Sequence, residues 1–212
     1  MPLIAVVDLG TGNLHSVAKA LEHVAPAHRI EVSSDPGVIG QAGHVVLPGQ
    51  GAVGTWLNAL LQGDLKDAIL VALDSCPVLG ICLGLQALYD RSEEDGDKEG
   101  LCVLAGKVRR FPNAGPFDSQ IKVPHMGWNN VRQVASHPLW QGIEQDSRFY
   151  FVHSYYAESA SVAEVFGTTD YGVQFTSAAG RENVFAVQFH PEKSHNQGLA
   201  LLRNFVHWDG ST

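Results

Sequence analysis

An apolar run, Pro77-Val78-Leu79-Gly80-Ile81, reaches Cys82-Leu83-Gly84 and passes directly into a stretch of helical character over 83–89. A nucleophile at the crest of such a strand-to-helix turn takes a strained backbone conformation. The residues two places to either side, Gly80 and Gly84, must therefore be small. The pattern is the sulfur counterpart of the Gly-x-Ser-x-Gly elbow, and it needs a buried strand to arrive on and a helix to leave by. It also places Cys82 at a helix N-terminus, where free N–H groups and the helix dipole favour thiolate, and it aims the Leu83 N–H at any oxyanion formed above the sulfur. A buried structural cysteine is the plainer alternative, since free cysteine is among the most buried residue types. Cys76 and Cys102 lack this context and read as packing residues.

The rest of the chain says what kind of sheet carries the elbow. Leu3-Ile4-Ala5-Val6-Val7 is apolar throughout, the mark of a strand covered on both faces. Residues 13–25 then carry Leu14, Val17, Ala18, Leu21 and Val24 at helical spacing. Val45-Val46-Leu47 is a further strand stopped by Pro48-Gly49, and 57–73 reads as helix interrupted near Gly63-Asp64. Strands alternating with helices predict βαβ units. From 103 to 187 strands dominate, at 107–111, 129–133, 148–152, 162–168, 172–177 and 184–189, and a helix closes the chain over 197–208. Segments 91–99 and 112–119 read as loops. The expected fold is a three-layer, doubly wound, flavodoxin-like α/β domain over 1–212, with a largely parallel central sheet and an antiparallel β extension.

Charge and cysteine usage narrow the setting. Lys and Arg total 14 against 22 Asp and Glu, a net charge of -8 without any basic stripe, which argues against nucleic acid or an anionic membrane as partner. Three cysteines with no Cys-x-x-Cys imply no disulfide framework and point to a reducing compartment. The N-terminal Met-Pro-Leu-Ile lacks a basic n-region, and no apolar run approaches the roughly 20 residues of a membrane span. A cytoplasmic, soluble protein is expected.

A cysteine nucleophile needs a base, and ten histidines compete for the role. His190-Pro191-Glu192 directly follows the apolar run 184–189, so it sits at a strand end as Cys82 does, where an open α/β sheet gathers its ligands. Pro191 favours an extended residue before it, and in an extended segment His190 and Glu192 share one face. Glu192 would orient the imidazole while His190 takes and returns the thiol proton. His190, Glu192 and His195 could alternatively be metal ligands. The His-x-Glu deaminases, however, need a Pro-Cys-x-x-Cys partner that is missing here, so no metal and no cofactor are expected. Gly10-Thr11-Gly12 hints at dinucleotide binding, but His15 stands where that fingerprint needs its third glycine.

The elbow, Gly80-Ile81-Cys82-Leu83-Gly84, together with Phe189-His190-Pro191-Glu192, resembles the class I (triad) glutamine amidotransferases. Asp8-Leu9-Gly10-Thr11-Gly12-Asn13, Leu47-Pro48-Gly49-Gln50-Gly51, Pro124-His125-Met126-Gly127-Trp128-Asn129 and Phe149-Tyr150-Phe151-Val152-His153-Ser154-Tyr155 are similar, within that family, to the glutaminase subunits of imidazole glycerol phosphate synthases. The resemblance spans essentially the whole chain. It implies a catalytic triad of Cys82, His190 and Glu192 that hydrolyses glutamine through a γ-glutamyl thioester. It further implies ammonia passed through a tunnel to a (β/α)8-barrel cyclase subunit in a heterodimer. The oxyanion hole would combine Leu83 with a peptide of Gly49-Gln50-Gly51, foremost the Gln50 N–H. Gly49, Gln86, Glu94 (for the α-amino group), Ser154 and Tyr155 would bind substrate, and Asn13, Trp128 and Lys193 would face the partner. Other glutamine-fed enzymes (pyridoxal phosphate, anthranilate or guanylate synthesis), a γ-glutamyl hydrolase, and a catalytically silent regulatory relative remain the alternatives.

Overall fold

The computed structural model describes residues 1–10, 12–61, 63–112 and 121–211. Thr11 of the first glycine-rich motif and nearly all of the 112–119 loop lie outside the described residues. In chain order the elements are β1 (Leu3–Val7), α1 (Leu14–Val24), β2 (Arg29–Ser33), α2 (Pro36–Ile39), β3 (His44–Gly49), α3 (Val53–Leu60), α4 (Leu65–Ser75), β4 (Val78–Cys82), α5 (Leu83–Gln86), β5 (Tyr89–Ser92), β6 (Lys98–Glu99) and β7 (Leu104–Arg110). They continue with β8 (His125–Asn130), β9 (Arg132–Gln133), β10 (Arg148–His153), β11 (Tyr155–Ser159), β12 (Val165–Asp170), β13 (Gln174–Arg181), β14 (Val184–Val187) and α6 (His195–His207).

The strands β2-β1-β3-β4-β14 form a parallel block, and β13, β11, β7, β5 and β6 extend the same sheet, mostly antiparallel, with β12 and β9 branching from β13. This is the expected α/β architecture with its antiparallel extension. The alternation of side chains along each central strand divides them between two cores. Ile4 and Val6 pack with Val17 and Leu21 of α1 and Leu201 and Phe205 of α6, while Ala5 and Val7 pack with Trp56 of α3 and Ile69 and Leu73 of α4. Helices therefore cover both faces, which is why the strand sequences are apolar at nearly every position. Helix α1 starts where the Asn13 side chain accepts from the Ser16 N–H at 3.4 Å, and it buries Val17, Ala18, Leu21 and Val24, one stripe at helical spacing.

Register brings the site together. In the β3–β4 pair Gly49 lies opposite Cys82, and in the β4–β14 pair Ile81 lies opposite Val187, so the three carboxyl ends are level. A two-stranded ribbon, β8 with β10, stands apart from the main sheet and pairs His125 with His153.

Several local readings are corrected. The helix expected over 83–89 is a single turn, because Tyr89–Ser92 is drawn off into a strand paired with β7. The same pairing turns part of the expected 91–99 loop into sheet and buries Ser92. Strand 129–133 is two strands, and residues 162–164 form a 3-10 turn ahead of β12. Helix 57–73 is split as expected near Gly63 into α3 and α4. Cys102 does not pack in the core; it is exposed at a turn with φ +54°. Among the described residues no helix is long and apolar enough to cross a membrane.

Candidate active site

Cys82 occupies a backbone conformation of φ +55°, ψ −103°, which non-glycine residues adopt only where the surroundings hold them there. Its surroundings do so sterically. A Cβ at Gly84 would fall on the Leu47 carbonyl oxygen of β3, and one at Gly80 would come within 2.9 Å of the Ala186 Cβ of β14. The elbow is thus clamped between the two neighbouring strands. Because α5 has only one turn, it brings little macrodipole; what it offers Cys82 is the free N–H groups at its start, that of Leu83 first.

His190 follows β14 and is 2 % exposed, and its Nδ1 lies 2.8 Å from Glu192 Oε1, whose side chain is 1 % exposed. Two residues apart suggested an extended segment, but Pro191–Lys193 forms a 3-10 turn, and it is this turn that folds Glu192 back onto the ring. Burial by itself opposes a charged imidazole. The negative charge of Cys82 and the hydrogen bond and charge of Glu192 outweigh it, and His190 is pushed up to about 10. The shift favours an imidazolium wherever Cys82 carries its charge. Among the described residues the buried Nε2, on the other side of the ring from Glu192, has no partner at hydrogen-bond geometry.

A cleft of about 840 Å³ opens over Cys82 and Leu83. Gln50, Gly51, Gln86, Glu94, Trp128, Ser154, Tyr155 and Lys193 all line it, joined by Pro124, Tyr150, Val152 and His153. His190 and Glu192 sit behind it, in a narrow space shared with Asn13, Gly49 and Gln50. Asn13 therefore does not line the main cleft, and its side chain caps α1. Gly49 is required for close approach: a Cβ there would lie 2.7 Å from both Leu83 Cβ and Trp56 Nε1. The left-handed backbone is at Gly51 instead, with φ +92°. Glu94 accepts from the Val53 N–H at 2.8 Å, and Asp95 accepts from Gly54 at 3.3 Å, so this acidic turn supplies the cap that Ala52 cannot give α3. Burial raises the Glu94 carboxyl against the Val53 hydrogen bond, and Asp95 adds to the rise. Trp128 stacks on His195 with ring centroids 5.0 Å apart and planes 3° from parallel.

Sequence reasoning missed three polar groups here. Gln188 is 0 % exposed and directs Nε2 at Cys82 Sγ, 3.6 Å away. His125 and His153 are bonded to each other at 2.9 Å, Nδ1 to Nε2. A signal for Gln188 existed: an amide interrupting the apolar run 184–189 must find hydrogen-bond partners when buried. Among the described residues no group of three or more His, Cys, Asp or Glu is arranged to hold a metal ion.

The buried histidines give the protein an acid-side weakness. Burial lowers His153 to about 3 and His125 and His137 to about 4 from 6.5. A folded chain that keeps these rings neutral is stabilised fully above pH 6.5 and loses that advantage as the unfolded chain takes up protons below it. His190 has the opposite sign, but its unfolded form takes up its proton around pH 6.5, so this one offset fades within about one pH unit below that. Thermal midpoints should hence fall steadily from pH 6.5 to 4.5, each histidine contributing up to about 1.4 kcal/mol per pH unit. A flat profile across that range would contradict the neutral, buried assignment.

The profile of the glutamine amidotransferase class-I family matches residues 5–208. The imidazole glycerol phosphate synthase subunit HisH of Thiobacillus denitrificans is 53% identical over 209 residues, covering 97% of this chain and 91% of the relative. The protein of the same name from Dechloromonas aromatica is 53% identical over 208 residues, covering 97% of this chain and 96% of its own. A crystal structure of a glutamine amidotransferase shares the fold with TM-score 0.71 at 17% identity, covering 96% of this chain and 97% of that one. The chain belongs to the class-I glutamine amidotransferase family.

Proposed function

We propose that this chain is the glutaminase subunit of an imidazole glycerol phosphate synthase, working in the cytoplasm as one half of a heterodimer. The convergence of Cys82, His190 and Glu192 at level strand ends, beside an open cleft lined by Cys82, Gln86 and Glu94, carries the chemistry. The identity of about half the residues to relatives of that name, over nearly their full length, carries the pathway.

In this reading the Cys82 sulfur attacks the side-chain amide carbon of glutamine. The oxyanion of the tetrahedral intermediate meets the N–H groups of Leu83 and Gln50. Imidazolium His190 protonates the leaving nitrogen, and ammonia departs to leave a γ-glutamyl thioester. His190, now neutral, deprotonates a water that hydrolyses the thioester to glutamate and restores the thiolate–imidazolium pair. The balance is glutamine plus water giving glutamate plus ammonia. Glu94, with one oxygen committed to Val53, would offer its other to the substrate α-amino group. Ser154 and Tyr155 would anchor the substrate through their backbone.

Met126 and Trp128 project from β8, 62 % and 37 % exposed, and Trp128 and Lys193 line the cleft. An apolar pair at the mouth of a reaction cleft suits a partner surface that receives ammonia, here a (β/α)8-barrel cyclase subunit. The Gln50–Gly51 segment would be misoriented in the free subunit and corrected on association, a rotation that Gly51 permits. Glutamate release should therefore be slow for the chain alone and rise by orders of magnitude with the barrel subunit and its ribulosyl substrate. Equal rates with and without that partner would sink both the coupling and the choice of pathway.

A further inference from the structure

Cys82 Sγ has two polar neighbours besides the triad. The Val152 carbonyl, 4.0 Å away, can only accept, so it suits a thiol; the Gln188 amide, 3.6 Å away, suits whichever end of it faces the sulfur. That end is not a free choice. The Tyr155 carbonyl accepts from Gln86 Nε2 at 2.9 Å, so Gln86 must present its nitrogen there. The second hydrogen of that nitrogen goes to Gln188 Oε1 at 3.0 Å, and Gln188 is thereby obliged to turn its NH2 toward the sulfur.

The other lone pair of the same carbonyl fixes a second arm. It accepts from His153 Nδ1 at 2.7 Å, which leaves His153 Nε2 as acceptor for His125 Nδ1 at 2.9 Å. His125 Nε2 then accepts from Asn129 Nδ2 at 3.3 Å. One backbone oxygen thus sets the direction of hydrogen bonds running from Asn129, next to exposed Trp128, to the nucleophile. Gln86, Gln188, His125 and His153 are all under 7 % exposed, so water does not substitute for these partners.

We propose that Gln188 is a positioning residue for the nucleophile, its amide N–H holding the Cys82 sulfur as thiolate, away from the Val152 carbonyl, with its orientation fixed through Gln86 by the Tyr155 carbonyl. The inference rests on the reading of Cys82 as nucleophile. A hydrogen bond to a charged acceptor is worth about tenfold or more in an equilibrium. Among the described residues, His190, after β14, is the titratable group coupled to Cys82, and Gln188→Met and Gln188→Glu leave that residue in place.

The test measures glutamine hydrolysis by the assembled enzyme, and the pH dependence of Cys82 alkylation by iodoacetamide read by peptide mass. The variants are Gln188→Met and Gln188→Glu, each checked for folding by its thermal midpoint. Gln188→Met should lose about tenfold in kcat with KM little changed, and its alkylation midpoint should move to higher pH. Gln188→Glu keeps the shape and the acceptor for Gln86 but sets a carboxylate against the sulfur, so its midpoint should move further still. A purely structural role predicts the reverse order, with the near-isosteric Glu variant milder and the midpoint unmoved. Unmoved midpoints and kcat in both variants overturn the inference. Cys82→Ala runs alongside: if hydrolysis survives in it, the nucleophile assignment itself falls, a separate outcome from failure at Gln188.

Discussion

Replacing Cys82 by alanine should abolish glutamine-dependent ammonia release, while added ammonium should still support product formation with the proposed partner subunit. Among the described residues no other cysteine lines the cleft: Cys76 lies in the α4–β4 connection and Cys102 is exposed. Loss of a triad nucleophile costs roughly 10⁴- to 10⁶-fold in turnover. Survival of ammonium-fed synthesis separates the loss of chemistry from the loss of folding or assembly. The same position also stores strain, since Cys82 is held at φ +55°. Glycine tolerates that conformation and alanine does not, so Cys82→Gly should be more stable than Cys82→Ala by about 1 kcal/mol, although both are inactive. Residual glutamine hydrolysis by either variant above about a thousandth of the wild-type rate would argue that another group carries the reaction.

The parts of this molecule legible in the sequence are those written in short local patterns. The elbow at Gly80–Gly84 and the central strands with period-free apolar runs depend on neighbours within a few residues. What escaped depends on partners far along the chain. Arg29–Ser33 went unrecognised because it is the edge strand, half-exposed along its length, and only its pairing with β1 makes it sheet. Tyr155–Ser159 is held by β7 and β13, neither adjacent to it in sequence. The His125–His153 contact joins residues 28 apart, and Gln86–Gln188 residues 102 apart. No periodicity encodes such pairs; the fold creates them. Even where the pair was anticipated, the stated reason could differ from the structure's. His190 and Glu192 meet because a turn follows the strand, not because the strand continues.

Gly84→Ala should be strongly destabilising for a single added methyl. Its Cβ would fall on the Leu47 carbonyl oxygen, a backbone atom of a buried central strand that no rotamer change can move aside. Either α5 lifts from β3 or β3 gives way, and both carry the Leu83 N–H and Cys82 with them. Overpacking typically costs 1–3 kcal/mol, and a backbone obstacle belongs at the upper end, about 3 kcal/mol. For a chain of this size that lowers the thermal midpoint by roughly 10 °C. Activity should drop beyond the fraction unfolded, because an oxyanion donor displaced by a fraction of an ångström loses much of its effect. Gly142→Ala is the matched comparison: its φ is +72°, but a Cβ there meets nothing within 4 Å, so only the backbone preference is charged, about 1 kcal/mol. If the two variants lose the same stability, the close approach of β3 to the elbow is not what holds Cys82 in place, and the strained conformation needs another cause.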